Sequence, residues 1–127
     1  MLHLVRDKRI KIAIVGASNN PNKYGYKIYK NLTSKDYKVT PVNPNQINIE
    51  GVKTIAKVEL MNEKPDIIDF AVPPPIALSE ARRLHENGYN NFWFQPGSES
   101  DELLEYLTKS DLNYLVNECI MVQTKHG

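Results

Sequence analysis

Residues 12–25 read IAIVGASNNPNKYG, an apolar run that stops at a glycine and crosses a polar, proline-bearing loop to a second glycine. Ile12 to Val15 is uninterrupted by polar residues, as in a strand covered on both faces, and this predicts a central parallel strand. Beyond the loop Tyr24, Ile28 and Leu32 recur at i, i+4 and i+8, the apolar stripe of a helix. Asn20 or Asn22 is the expected cap, Pro21 falls in the first turn, and Thr33-Ser34 ends the helix. Tyr37 to Val42 has the β-branched and aromatic content of a second strand, stopped at Asn43-Pro44. Strand, helix and strand make one right-handed crossover.

The same alternation continues to the end of the sequence. Residues 46–65 read as an irregular loop with a short helix containing Val58, Leu60 and Met61. Ile67 to Val72 is a third buried strand, cut off by Pro73, Pro74 and Pro75. A helix is expected over Ile76 to Asn87, with Ala77, Ala81 and Leu84 inward and Gly88 as its left-handed terminator. Asn91 to Gln95 forms the fourth strand, closed by Pro96-Gly97. Phe92-Trp93-Phe94 has the make-up of a stacking platform, yet within an apolar strand it reads as core, where the Trp93 indole N–H needs a partner. Ser98 or Ser100 caps a helix carrying Leu103, Leu104 and Leu107, and Asn113 to Val116 is the fifth strand. The pattern predicts a single α/β domain over residues 1–127, doubly wound around a mostly parallel five-stranded sheet with helices on both faces.

Composition narrows the function classes. With 127 residues, one core can bury about two-thirds of the unfolded surface without covalent staples. Sixteen basic against fifteen acidic residues leave a net charge of +1, so nothing pulls the chain as a whole toward nucleic acid or an anionic membrane, and an anion must be held locally. Cys119 is the single cysteine; it excludes an internal disulfide and a cysteine-cluster metal site, and fits a reducing, cytoplasmic setting. The opening MLHLVRDKRI is too short and charged for a signal peptide, and no apolar run approaches the roughly 20 residues of a bilayer span.

Ligands of open α/β sheets bind beyond the carboxyl ends of the strands, where this sequence places Gly16-Ala17-Ser18, Asn43-Pro44, Pro73-Pro74, Pro96-Gly97 and Asn117-Glu118-Cys119. Gly16 allows a sharp exit, Ser18 adds a hydroxyl, and the following helix start offers unpaired amides to an anion. Gly25 would let a pyrophosphate lie against the helix, and Lys23 would pair with phosphate. The same residues fit a structural turn, with Gly25 placed for packing and Lys23 simply solvated. Neither GxGxxG nor GxxxxGK[ST] is present. The end of the second strand lacks the acidic residue that a nicotinamide-dinucleotide site uses on its ribose, which leaves room for a phosphorylated ribose; Asn43 also reads as a plain turn residue. His3, His85 and His126 are scattered, forming neither a metal pair nor a Ser-His-Asp set. Cys119 is either a small buried hydrophobe or a thiol activated by a helix start.

Taken in order, GASNNPNKYG, PVNP at 41–44, VPPP at 72–75, FWFQPG at 92–97 and NECIM at 117–121 resemble the small stand-alone coenzyme A-binding domain proteins. Their fold is similar to the coenzyme A-binding domain of the succinyl-CoA synthetase alpha subunit, and the likeness runs from about Lys11 to Met121. It implies a Rossmann-like domain that binds coenzyme A or an acyl-CoA. The first loop would hold the pyrophosphate at Gly16, Ser18, Pro21 and Gly25, with Ala17 and Lys23 beside them among the expected cofactor-binding residues. Val42, Asn43 and Pro44 would flank the adenosine end, and Val72 and Pro73 another side of the nucleotide. Gln95, Pro96, Gly97, Asn117 and Cys119 match motif positions facing the same cleft. Ligase activity is not implied, because proteins of this length lack the synthetase's phosphohistidine segment and nucleotide-grasp partner. Two other readings stay open: an NAD(P)-binding oxidoreductase-like domain, and a regulatory subunit with a vestigial cleft acting through a protein partner. A β-branched residue at Gly16 is expected to abolish nucleotide binding while leaving the fold intact.

Overall fold

The structure, a computed structural model, describes residues 1–124. Five strands form one parallel sheet: β1 (Lys11–Val15), β2 (Lys38–Val42), β5 (Ile67–Phe70), β6 (Asn91–Phe94) and β7 (Asn113–Leu115), in the order β2-β1-β5-β6-β7. Between β2 and β5 lies a two-stranded antiparallel hairpin, β3 (Asn48–Ile49) and β4 (Val52–Lys53). The helices are α1 (Tyr24–Ser34), α2 (Pro74–Glu86), α3 (Asp101–Lys109) and the short α4 (Ile120–Gln123). The winding reverses at β1, which pairs with β2 on one side and β5 on the other. In such sheets this reversal opens a crevice above the strand ends.

Two apolar layers sandwich the sheet. One packs Ala77, Ala81 and Leu84 of α2 and Leu103 and Leu107 of α3 against Ala13, Ile68, Phe70, Phe92 and Phe94. The other packs Ile28 and Leu32 of α1 and Ile120 of α4 against Ile12, Ile14, Ile67 and Trp93. Alternate residues of β1, β5 and β6 thus serve opposite cores, which is why these strands are apolar throughout. The rings of Phe70 and Phe94 stack at 4.6 Å, and Phe92 meets Phe70 edge-on at 5.2 Å, so FWF is core. Trp93 Nε1 finds its acceptor in the Glu118 carbonyl, at 2.7 Å.

Several boundaries differ from expectation for local reasons. Lys23, with no capping side chain, is the N-cap of α1; Asn20 Oδ1 instead accepts from Asn22 N in a turn that holds Pro21 outside the helix. Thr33 and Ser34 do not stop α1, because their hydroxyls bond back to the Tyr29 and Asn31 carbonyls. The stop is Asp36 at φ +68. Gly88, at φ +93, closes α2 as expected: its amide reaches His85 O and that of Tyr89 reaches Leu84 O, the paired bonds of a Schellman motif. Ser100 caps α3 by accepting from Leu103 N at 3.1 Å, whereas Ser98 is buried and tied to β5.

The stretch 46–65 contains the hairpin, absent from the sequence reading, and a single 3-10 turn at Val58–Leu60. Glu50 and Gly51 both take positive φ, +48 and +88, the twist-compatible geometry of a two-residue hairpin loop. Glu50 is held there by Lys30 at 2.7 Å and by the Tyr26 hydroxyl. His126 lies outside the described residues, and no helix among those described is long and apolar enough to cross a membrane.

Candidate functional site

An open cleft of about 580 Å³ lies at the winding reversal, above β1, β5 and β6. The β1 exit forms its near wall, and that exit is built by backbone packing. Gly16 takes φ +95, and a Cβ there would lie 2.3 Å from the Ala71 carbonyl oxygen. Gly25 packs so tightly on the same turn that its Cβ would strike the Gly16 carbonyl. Gly25 therefore brings the helix start down onto the β1 exit; it is a packing glycine, as the plainer of the two sequence readings had it. The amides of Gly16 and Ala17 both turn inward to Val42 O, at 3.2 and 3.3 Å. The amides of Ser18, Asn19, Tyr24, Gly25 and Tyr26 find no acceptor among the described residues. Of these, Ser18, Tyr24 and Gly25 line the cleft, and with the uncapped dipole of α1 they make its anion-attracting part.

Of the residues expected at the site, Gly16, Ala17, Ser18, Lys23 and Gly25 line this wall, Asn43 adjoins it, Val72 and Pro73 face it, and Pro96 and Gly97 close the far side. Asn43 is also a turn residue: its Nδ2 donates to Ala17 O at 2.9 Å and its Oδ1 accepts from Asn45 N, tying the β2 exit to the β1 exit. The Gly97 amide is occupied by Glu99 at 3.0 Å, so that turn supplies shape more than a free donor. Six expected residues do not line the cleft. Pro21 and Pro44 are exposed outside it, Val42 is buried beneath it, and Asn117 is exposed on the β7 side with φ +60. Gln95 is fully buried, its Nε2 on Asp69 Oδ1 and its Oε1 accepting from Ile120 N. Cys119 is half-buried behind Tyr24.

The cleft also contains Pro74, named above at the end of the third strand, and residues that sequence reasoning did not place at the site: Tyr24, Ala71 and Ser98. Ser98 donates to Val72 O at 2.6 Å and clips the β5 exit to the β6 turn. Tyr24 was legible only as a helix-stripe residue, yet its hydroxyl donates to Cys119 Sγ at 2.9 Å. Burial, then the contact with Cys119, pushes its phenol well above the usual range. Asp69, inside a strand read as apolar, is fully buried, and burial pushes its carboxyl up to about 8, against a smaller opposing effect of Gln95. Burial thus favours the protonated form of this carboxyl, which does not itself line the cleft.

A profile of the CoA binding domain family matches residues 10–125. The chain belongs to the CoA-binding domain family. It is 28% identical over 129 residues to the alpha subunit of acetate–CoA ligase (ADP-forming) II from Pyrococcus furiosus, covering 91% of this chain and 28% of that subunit. It thus spans under a third of that relative's length. The uncharacterized protein YneT of Bacillus subtilis is 27% identical over 119 residues, with 94% of this chain and 87% of YneT covered. Among solved structures, a conserved hypothetical protein from Pyrococcus furiosus superposes with a TM-score of 0.85 at 47% identity, over 91% of this chain and 99% of that one. Membership in the CoA-binding domain family accords with the parallel sheet and with the likeness to an acetate–CoA ligase subunit.

A second groove, of about 470 Å³, lies between α2 and α3, far from the strand ends; Lys109 there is paired with Glu105 at 2.8 Å. His85 on its wall is taken up by Tyr106 and Asp111, at 2.7 and 2.8 Å. No group of metal-ligating side chains occurs among the described residues.

Proposed function

We propose that this protein binds coenzyme A, free or acylated, in the cleft at the β1–β5 reversal, as a binding module without turnover of its own. The observation that carries the reading is the set of unpartnered amides of Ser18, Tyr24 and Gly25 on the cleft wall, around the close-packed Gly16–Gly25 turn. A diphosphate placed there would receive several N–H donors and the positive end of α1. The end of β2 carries Asn43, Pro44 and Asn45 and no carboxylate, so the 3′-phosphate that marks this nucleotide meets no repulsion, whereas a nicotinamide dinucleotide finds no acidic partner for its ribose. The cleft wall holds no histidine and no carboxylate, and burial pushes the Tyr24 phenol well above its usual range, so no group there is suited to general acid–base catalysis.

Calorimetric titration tests the proposal. Heat of binding is expected with coenzyme A and acetyl-CoA and a far weaker response with NAD. Binding of NAD with no response to coenzyme A would replace this reading with a nicotinamide-nucleotide domain. Silence toward all three would favour a regulatory subunit whose partner is a protein.

A further inference from the structure

Resting on the coenzyme A reading above, we propose that the cleft takes up its diphosphate together with a proton held on the buried carboxyl of Asp69, so that affinity for the ligand is regulated by pH. The placement of Asp69 is the starting point. It lies on β5 two residues before Ala71, which lines the cleft. The Ala71 amide still bonds Val15 O at 2.9 Å, so the extended backbone runs on through it. Residues two apart share one face of a strand, and two steps span about 7 Å. Ala71 and Ile67 both pack into the layer under α1, so Asp69 between them shares that face. Above it the amides of Ser18, Tyr24 and Gly25 line the cleft without partners. A diphosphate on those amides would stand roughly 10 Å from the carboxyl, on the same side of the sheet.

The surroundings of Asp69 select its acid form. The residue is fully buried, and no cation pairs with it among the described residues. Its Oδ1 accepts from Gln95 Nε2, and its Oδ2 is buried with no hydrogen-bond partner. An ionised carboxylate there would exchange its hydration for a single neutral donor, which is costly. Because Oδ1 already accepts, the proton sits on Oδ2. Burial accordingly pushes this carboxyl up to about 8, against a smaller opposing effect of Gln95.

Neighbouring elements bring no charge that offsets an ionised Asp69. From α1 comes the Tyr24 phenol, kept neutral by burial and within electrostatic reach of Asp69. At the far end of α1 the Lys35 ammonium is taken up by Met121 O and Thr124 Oγ1, at 2.7 and 3.0 Å. The segment before α4 contributes Cys119, bonded by Tyr24, and Glu118, bonded by Gln123. From β1 and β6 come Ile12, Ile14 and Trp93.

The sign of the linkage follows. Two like charges about 10 Å apart, at an effective dielectric of about 20, shift an equilibrium by about tenfold. The diphosphate therefore prefers the protonated chain to the ionised one by about that factor. Well below pH 8 the carboxyl is already neutral, and the ligand binds at full affinity. Above it, binding must either draw a proton onto Asp69 or face its charge, and affinity falls by about fivefold between pH 7 and pH 9.

The test is calorimetric titration of the full chain with 3′-phospho-ADP, the nucleotide half of coenzyme A, which has no thiol and whose phosphates are ionised above about pH 7. Binding should weaken by about fivefold from pH 7 to pH 9, stay level in Asp69→Asn, and keep its fall in Cys119→Ser, which removes the thiol beside Tyr24. At pH 8, heats measured in two buffers of different ionisation enthalpy should report uptake of roughly 0.4 of a proton per ligand bound by the native chain. That measurement decides the matter should Asp69→Asn fail to fold. Affinity indifferent to pH with no proton uptake, a fall that persists in Asp69→Asn, or one abolished in Cys119→Ser overturns the inference. The failures are distinguishable: firm binding that ignores pH sinks only the proton linkage, whereas no binding at pH 7 sinks the coenzyme A reading as well.

Discussion

A Cβ built on Gly25 would sit 1.9 Å from the carbonyl oxygen of Gly16, so the first turn of α1 and the exit of β1 are pressed together backbone to backbone. This contact, between residues nine apart in the quoted opening stretch, sets the height of the helix start above the sheet. It also fixes which amides are left facing the cleft.

Gly25→Ala should therefore destabilise the fold. The obstacle is backbone, which cannot swing aside, and overpacking of this kind costs about 1–3 kcal/mol. Urea denaturation should show a lowered midpoint with an unchanged slope. A midpoint equal to that of the native protein would mean that the helix start can lift without cost.

Gly16 gives a similar outcome and corrects the expectation that a β-branched residue there would spare the fold. The new Cβ would meet the Ala71 carbonyl at 2.3 Å and Val72 Cγ1 at 2.6 Å, so loss of binding and loss of stability would arrive together. Gly97 is the cleaner probe. It lines the cleft, and a Cβ there meets nothing within 4 Å. Gly97→Ala should cost about 1 kcal/mol through its positive φ and weaken coenzyme A by about tenfold or more, if the ligand packs on that turn. Unchanged affinity by calorimetry would move the ligand away from the β6 side.

Lys23 is exposed at the cleft rim. An exposed ion pair contributes no more than about 1 kcal/mol, so Lys23→Ala should weaken binding by about fivefold or less, and the difference should fade as salt is raised. A much larger, salt-insensitive loss would show that Lys23 is buried by the ligand.

Asp69 predicts a pH signature. Its folded pKa is raised from 3.8 to about 8, so between those values the native state holds a proton that the unfolded chain releases. The contribution of Asp69 to stability is full below pH 3.8 and lost as pH rises through about 8. Within that window the slope is about −1.4 kcal/mol per pH unit for one proton. Asp69→Asn keeps the shape and removes the titration. The urea midpoint of the native protein should fall relative to that of Asp69→Asn from pH 5 to pH 8, and parallel curves would show that Asp69 is ionised in the fold.

Much of this architecture is written in local patterns. The apolar runs of β1, β5 and β6, the prolines after β5, the Ser100 cap and the Gly88 terminator each have a short-range cause, and each could be read without the fold. What could not be read depends on partners far along the chain. The hairpin at 48–53 rests on Glu50 being held at positive φ by Lys30 and Tyr26 of α1. Asp69 is one polar letter in an apolar run, and only Gln95, 26 residues later, shows that it is buried. The role of Gly25 is invisible without the position of Gly16 beneath it. Tyr24 and Cys119, 95 residues apart, appear in the sequence as a helix-stripe aromatic and a lone thiol. The cleft's position was legible because the strand ends of a parallel sheet must gather on one edge; its far wall was not, since which loop residues turn inward depends on bonds such as that of Ser98 to Val72.

The most direct test of the central claim is a crystal structure of the full chain grown with coenzyme A. The account predicts density for the diphosphate within hydrogen-bond reach of the amides between Ser18 and Tyr26, beside Gly16. Density for the nucleotide in the α2–α3 groove, or anywhere away from the β1–β5 reversal, would contradict it.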